Sequence, residues 1–391
     1  MKIKFSEASV FSADPYLKKY DTFDAEAAIS RDCFVDSSKY FIFPGFVDVH
    51  VHFREPGFSY KETIKSGSLA AARGGYTAVG TMPNLNPVPD SMNNLKAQLD
   101  IIGRDACMGV IPFGSITRGE QGLALSDMEE IAPFVCGFTD DGRGVDNSSL
   151  MREAMQRARA LGKIISAHCE DGTQIKDSPE AEWKQIERDI KLADETGVKY
   201  HVCHISTKES VSLIRDAKAS GVDITCETAP HYLLFSDKDV KDDGRFRMNP
   251  PIRGEADREA LINGILDGTV DMIATDHAPH SAEEKSKGLK SLNGIVGLEC
   301  AFPVLYTELV KGGVITLQKL IKLMSTAPAQ RFGIDRNGFC VYDLEHEYAI
   351  DPADFASMGR CTPFEGKRVF GRCVATVFDG RLAYIDKKEI K

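Results

Sequence analysis

At 391 residues, 42% of them hydrophobic, the chain is long enough for one large domain and a smaller one around a sizeable core. Its 58 acidic against 48 basic residues give a formal charge of -10 with no Lys/Arg block, which argues against nucleic acid and anionic membranes as partners. The opening Met1-Lys2-Ile3-Lys4 runs straight into Phe5-Ser6-Glu7 without an apolar signal core, and no stretch nears about 18 apolar residues, so a soluble cytoplasmic protein is expected. The ten cysteines are scattered without a C-x-x-C pair, several inside apolar runs such as His201-Val202-Cys203. Reduced core thiols are expected rather than a disulfide framework.

Met1 to Phe43 reads as short strands and turns with little helical period. From about Gly45 to about Gly333 one pattern repeats: a β-branched or apolar run, a polar cluster, then a stretch with helical spacing. The runs are Phe46 to His52, Tyr76 to Met82, Met108 to Gly114, Val135 to Thr139, Lys163 to Ala167, Tyr200 to His204, Asp223 to Thr228 and Val270 to Thr275. Between the fourth and fifth, Met151, Ala154, Met155, Ala158 and Leu161 recur at helical spacing and Gly162 supplies the stop. Eight such units closing on themselves predict an α/β fold, a (β/α)8 TIM-type barrel, whereas an open doubly wound sheet would want a phosphate-binding glycine loop that is absent. From roughly Cys340 the turn-rich character returns, with some helical period around Pro352 to Met358. Barrel ends lie close together, so residues 1–44 and 336–391 are expected to form one small β domain beside a barrel at 45–335.

Barrel enzymes place their chemistry at the C-terminal ends of the strands. The first run ends Asp48-Val49-His50-Val51-His52, the fourth Thr139-Asp140-Asp141, the fifth Ala167-His168, the sixth His201-Val202-Cys203-His204 and the eighth Thr275-Asp276-His277. Alternation along a strand puts His50 and His52 on one face, with Arg54 following on the same side. Of nine histidines, seven lie at or just after strand ends, counting His231, His277 and His280. A lone strand-end histidine is usually a hydrogen-bonded core residue; four with two aspartates on one rim point to metal. Imidazole plus carboxylate without thiolate suits zinc best. The set divides into one metal on His50, His52 and Asp276, another on His168 and His204, and a carboxylate between them. Such a site performs metal-assisted hydrolysis or its reverse.

The string His50-Val51-His52-Phe53-Arg54-Glu55-Pro56-Gly57, with Ala71-Ala72-Arg73-Gly74-Gly75-Tyr76-Thr77 and Met82-Pro83-Asn84, resembles the signature of type I dihydroorotases in the amidohydrolase superfamily. The resemblance continues in order through Phe138-Thr139-Asp140-Asp141-Gly142, Ala167-His168-Cys169-Glu170-Asp171, His204-Ile205-Ser206-Thr207-Lys208, Met248-Asn249-Pro250-Pro251 and Ala274-Thr275-Asp276-His277-Ala278-Pro279-His280. It implies that His50 and His52 hold the more buried metal and that Asp141 bridges, where hydantoinases and allantoinases use a carboxylated lysine. His168 and His204 would hold a second zinc, and Asp276 would be both ligand and general acid/base. The implied reaction is reversible closure of N-carbamoyl-L-aspartate to L-dihydroorotate, in pyrimidine (UMP) synthesis. Arg54 would fork onto the substrate carboxylate, helped by His52, Asn84, Asn249 and His280, with the backbone near Gly294 at the ring amide. Asn293 stands before Gly294 where the family pattern has Phe. Asp140 reads as a loop-capping carboxylate, and Cys169, Cys203 and His201 as packing residues or residues behind the ligands. The resemblance also implies a homodimer and allows association with aspartate transcarbamoylase. Two rivals remain: a hydantoinase- or allantoinase-like cyclic amidohydrolase, disfavoured by Asp141 and Arg54, and a silent partner of aspartate transcarbamoylase, disfavoured because all six ligand positions are filled.

Overall fold

The computed structural model describes residues 2–4, 9–10, 25–26, 33–34 and 40–386, so most of the N-terminal flank lies outside the described residues. Three parallel strands, Phe46–Val51, Tyr76–Thr81 and Gly109–Pro112, form one sheet. Five more, Gly137–Phe138, Ile164–Ala167, Lys199–Val202, Ile224–Thr228 and Met272–Ile273, form a second. Single bridges join the two at both edges, Gly114 to Phe138 and Val51 to His277, and so close eight strands in sequence order into a (β/α)8 barrel.

The strands at the third, fourth and eighth positions are shorter than their apolar runs at both ends, and the residues past each C-terminal end build the rim. Thr139 still hydrogen-bonds Gly114 O at 3.0 Å, but the next residue, Asp140, turns its carboxylate back onto the backbone N–H groups of Ile116 and Thr117 at 2.7 and 3.0 Å. It is a loop cap, as expected. Past the strand ends, Arg54 (φ +58°), His204 (φ +31°) and Asp276 (φ +48°) all adopt left-handed backbone, which is costly for a side-chain-bearing residue and persists only where surrounding contacts enforce it.

The helix expected after the fourth strand forms over Ser148–Ala160. Met151, Ala154, Met155 and Ala158 are buried, Asn147 caps the N-terminus, and Gly162 at φ +68° follows the end. Between the third and fourth strands the helical layer is reduced to the single turn Met128–Ile131 and 3-10 turns at Arg118–Glu120 and Ala132–Phe134.

The two flanks meet in an antiparallel arrangement: Tyr40–Pro44 pairs with Gly338–Ala349, which pairs with Arg368–Phe378 and then Arg381–Ile385. These strands correct the expectation of short elements, since two of them run for 12 and 11 residues. Register shifts between Val341 and Tyr342 and between Asp343 and Glu347 break the two-residue alternation that would have announced them. Around Pro352 to Met358 only a 3-10 turn at Pro352–Asp354 forms. An aromatic cluster fastens this sheet to the barrel, with Phe302 4.3 Å from Tyr342, 5.3 Å from Phe46 and 5.9 Å from Phe43 between ring centres.

Candidate metal centre and substrate pocket

The floor of the barrel mouth is made by residues that the strands themselves deliver. His50 Nε2 lies 3.2 Å from Asp141 Oδ1 and 3.6 Å from Asp276 Oδ1, and His52 Nε2 lies 3.4 Å from Asp141 Oδ2 and 3.3 Å from Asp276 Oδ1. His204 Nε2 is 3.7 Å and His168 Nδ1 3.9 Å from Asp141 Oδ1, and these two ring nitrogens face each other at 3.0 Å. All six side chains are buried. Among the described residues, His50 with His52 and Asp276, and His50 with Asp141 and His204, form clusters of mutually close metal-ligand atoms. The first is the set expected for one ion; the second adds His50 to the expected second set, with His168 at its edge.

The donor set fits a divalent cation. His50 Nε2 and Asp141 Oδ1 are buried without a hydrogen-bond partner, an expense a folded protein rarely tolerates unless something binds there. Burial raises the pKa of Asp141, but His50, His204 and His52 outweigh it and hold the carboxyl well below its usual range. Burial likewise opposes ionisation of Asp276, yet the His52 hydrogen bond and the neighbouring imidazoles bring it down to about 2. Both acids are therefore anionic at neutral pH, as cation ligands must be.

Above the floor, a cavity of about 480 Å³ opens between His52, Arg54, Asn84, Asn249, His280 and Gly294. Every residue expected to touch substrate thus lines one space. Arg54 reaches it through its left-handed turn and not by continuing the strand, which ends at Val51. Its Nε donates to Pro279 O at 3.2 Å and its Nη2 lies 3.4 Å from His280 Nε2, while neighbouring Glu55 is occupied elsewhere, accepting from the Ile64 N–H at the start of the helix Ile64–Arg73. His280 Nε2 donates to Asn293 O at 2.7 Å, which leaves Nδ1 to accept from Lys61 Nζ at 3.2 Å. Burial and the Arg54 and Lys61 cations push His280 down to about 4, so it is neutral at pH 7.

Asn293 holds its place by backbone, since its carbonyl is the acceptor for His280, and the preceding Leu292 O accepts from Lys285 Nζ at 2.8 Å. Gly294 sits at φ +131°, and a Cβ there would fall 2.5 Å from Ala278 O, so only glycine fits. Asn84 Nδ2 donates to Asp141 O at 2.6 Å and Glu120 Oε1 at 3.0 Å, and its Oδ1 has no partner. Asn249 Nδ2 donates to Glu170 Oε2 at 3.0 Å, and the same oxygen lies 3.3 Å from His168 Nε2.

Glu120, Glu170 and Glu227 escaped the sequence reading. Glu227 receives His50 Nδ1 at 2.8 Å and His201 Nε2 at 3.2 Å in the barrel interior. Burial would raise its pKa, but the hydrogen bonds from His201 and His50 take it to about 2. The available signal was a carboxylate two residues after Thr225 in the run Ile224-Thr225-Cys226-Glu227-Thr228, a position that faces the barrel interior. Two of the rim histidines serve the frame instead. The His231 ring packs tilted against Tyr232, 4.1 Å between ring centres, and His277 lies against Ser357 and Glu62 at 3.5 Å each.

An eight-stranded barrel with imidazoles and carboxylates converging at its C-terminal rim defines an amidohydrolase-type protein, and solved structures agree on the fold. L-hydantoinase (dihydropyrimidinase) from Arthrobacter aurescens superposes with a TM-score of 0.81 over 90% of this chain and 87% of its own, at 24% identity. D-hydantoinase from Bacillus sp. AR9 gives 0.80 over 92% and 89%, at 20% identity. The sequence comparisons are narrower. A family model described as "Dihydro-orotase-like" matches residues 39–182. A dihydroorotase of Fusobacterium nucleatum is 47% identical across 99% of this chain and 97% of its own length, and one of Geobacillus thermodenitrificans is 48% identical across 90% and 88%. The chain belongs to the dihydroorotase family.

Proposed function

We propose that this protein is a zinc-dependent dihydroorotase, interconverting N-carbamoyl-L-aspartate and L-dihydroorotate in pyrimidine synthesis. The observation that carries the reading is the stacking of two different sites in one cavity: an anionic, imidazole-rich floor suited to a cation, and directly above it the Arg54 guanidinium, suited to a substrate carboxylate. His50, His52 and Asp276 would hold one zinc, and His168 and His204 a second with Asp141 between them. Bound there, zinc supplies Lewis acidity, lowering the pKa of water and polarising a carbonyl. Asp276 moves the proton: in hydrolysis it takes one from the attacking water as the C–O bond forms and delivers it to the ring nitrogen as the C–N bond breaks, and in closure the order reverses. Arg54 grips the carboxylate with two parallel N–H donors, assisted by His52, Asn84, Asn249 and His280, while the backbone at Gly294 faces the ring amide.

The same reading divides the chain at 1–44, 45–335 and 336–391, supported by the pairing of Tyr40–Pro44 with Gly338–Ala349 beside the closed barrel. It includes a cytoplasmic homodimer with access to aspartate transcarbamoylase, drawn from the family resemblance; among the described residues no helix is long and apolar enough to cross a membrane. Steady-state assays of the zinc-loaded protein with dihydroorotate, hydantoin and allantoin test the function. Turnover of dihydroorotate is expected to dominate. Turnover of hydantoin or allantoin without dihydroorotate would replace the proposal with a hydantoinase- or allantoinase-like one.

A further inference from the structure

Behind the floor of the site lies a chain of hydrogen bonds that none of the ligand assignments uses. His50 Nδ1 is 2.8 Å from Glu227 Oε1, Glu227 Oε2 is 3.2 Å from His201 Nε2, and His201 Nδ1 is 2.8 Å from Thr225 Oγ1. His50 and His201 have no exposed surface, Glu227 almost none, and the Phe332 ring closes against His201 edge-on at 5.0 Å between centres. A carboxylate can only accept, so both imidazoles must donate to it. With both rings neutral, as an imidazole that ligates a cation must be, that fixes every proton in the chain. Thr225 donates to His201 Nδ1, His201 Nε2–H donates to Glu227, and His50 Nδ1–H donates to Glu227. The only lone pair left on His50 is at Nε2, the atom that faces Asp141 and Asp276.

We infer that Glu227 and His201 are positioning residues of the metal centre: they hold His50 in the single tautomer and orientation that present Nε2 to the cation. The inference rests on the proposed zinc-dependent function and goes beyond its ligand set. Glu227 is not itself a ligand, although it clusters with His50 and Cys203, because His50 meets it through Nδ1, the nitrogen opposite the one that faces the carboxylates of the floor. Carboxylates bound behind ligating histidines raise ligand basicity and typically carry on the order of 10- to 100-fold of metal affinity. His201 acts one step further back, by holding the second Glu227 oxygen so that the first stays aimed at His50.

The test is the zinc dissociation constant of the metal-stripped protein, measured by chelator competition, a readout independent of turnover. Glu227→Gln should weaken zinc binding on the order of 10- to 100-fold. His201→Leu should weaken it in the same direction, whereas His201→Gln, which keeps an N–H donor, should stay within about threefold of the parent chain. In the Glu227→Gln background, His201→Leu should add little, because the two residues act through one bond path. Zinc affinity of Glu227→Gln within about twofold of the parent, or equal affinities for His201→Leu and His201→Gln, would overturn the inference while leaving the dihydroorotase reading intact. Should Glu227→Gln fail to fold, the His201 pair decides by itself. A parent chain that binds no zinc would instead overturn the functional reading, and this inference with it.

Discussion

The floor and the mouth of the cavity are built on different principles. Floor residues His50, Asp141 and Glu227 sit on strands or within three residues of a strand end, are buried, and are held by short contacts among themselves. Mouth residues Arg54, His280, Asn293 and Gly294 sit on loops and are held by backbone carbonyls and by the Lys61–Glu284 pair at 2.9 Å. A metal requires ligand atoms fixed to within a fraction of an ångström, which the hydrogen-bonded barrel frame provides. Substrate specificity requires a surface that can vary without disturbing that frame, which loops provide.

This division makes the two regions separable by mutation. The largest effect is expected at Asp276, where the floor meets the cavity: Asp276→Ala should lower kcat on the order of 10² to 10⁴-fold even at saturating zinc. Activity within tenfold of the parent would remove the proton-carrying role. Next comes the mouth. Arg54→Met should raise KM for dihydroorotate on the order of 10- to 100-fold, matching the loss of about 1.5–3 kcal/mol for a charged hydrogen bond, and should leave zinc affinity unchanged. A parallel loss of zinc would mean that floor and mouth are not independent. The smallest effect concerns the Glu284 carboxylate. Burial works to raise its pKa, but Lys61 and the Ser281 N–H outweigh it and bring it from 4.5 down to about 2. A pKa lower in the folded than in the unfolded chain stabilises the fold above about 4.5, and that contribution fades as the pH falls towards 2. Glu284→Gln should therefore lower Tm by about 1–2 °C at pH 7, and the gap should shrink below pH 4.5. A gap that is constant from pH 7 to pH 3.5 would assign the stabilisation to shape and not to charge.

The same contrast explains what the sequence could and could not convey. His50, His52, Asp141, His168, His204 and Asp276 were legible because each lies within two residues of the end of an apolar run, where strand alternation and barrel geometry leave little freedom in where a side chain ends up. Strand alternation points to Arg54 for a partly mistaken reason, because the chain has already turned left-handed there, and a turn of that kind has no periodic signature. Glu227 was missed because a single carboxylate in a short strand looks the same whether it faces solvent or an imidazole in the barrel interior. The accessory strands Gly338–Ala349 and Arg368–Phe378 were blurred by the register shifts between them, which scramble alternation over much of their length. The imidazole and carboxylate floor of the site is thus written locally, whereas the residues behind it exist only as contacts across distant segments, as with His50 and Glu227, 177 positions apart.

Whether the buried floor binds the metal on which cyclic-amide hydrolysis depends is decided by stripping the protein with a chelator and titrating zinc back while dihydroorotate hydrolysis is followed. Activity should be negligible at the start and rise to saturation at one or two zinc ions per chain. Metal-free protein that hydrolyses dihydroorotate as fast as the zinc-loaded form would contradict that dependence.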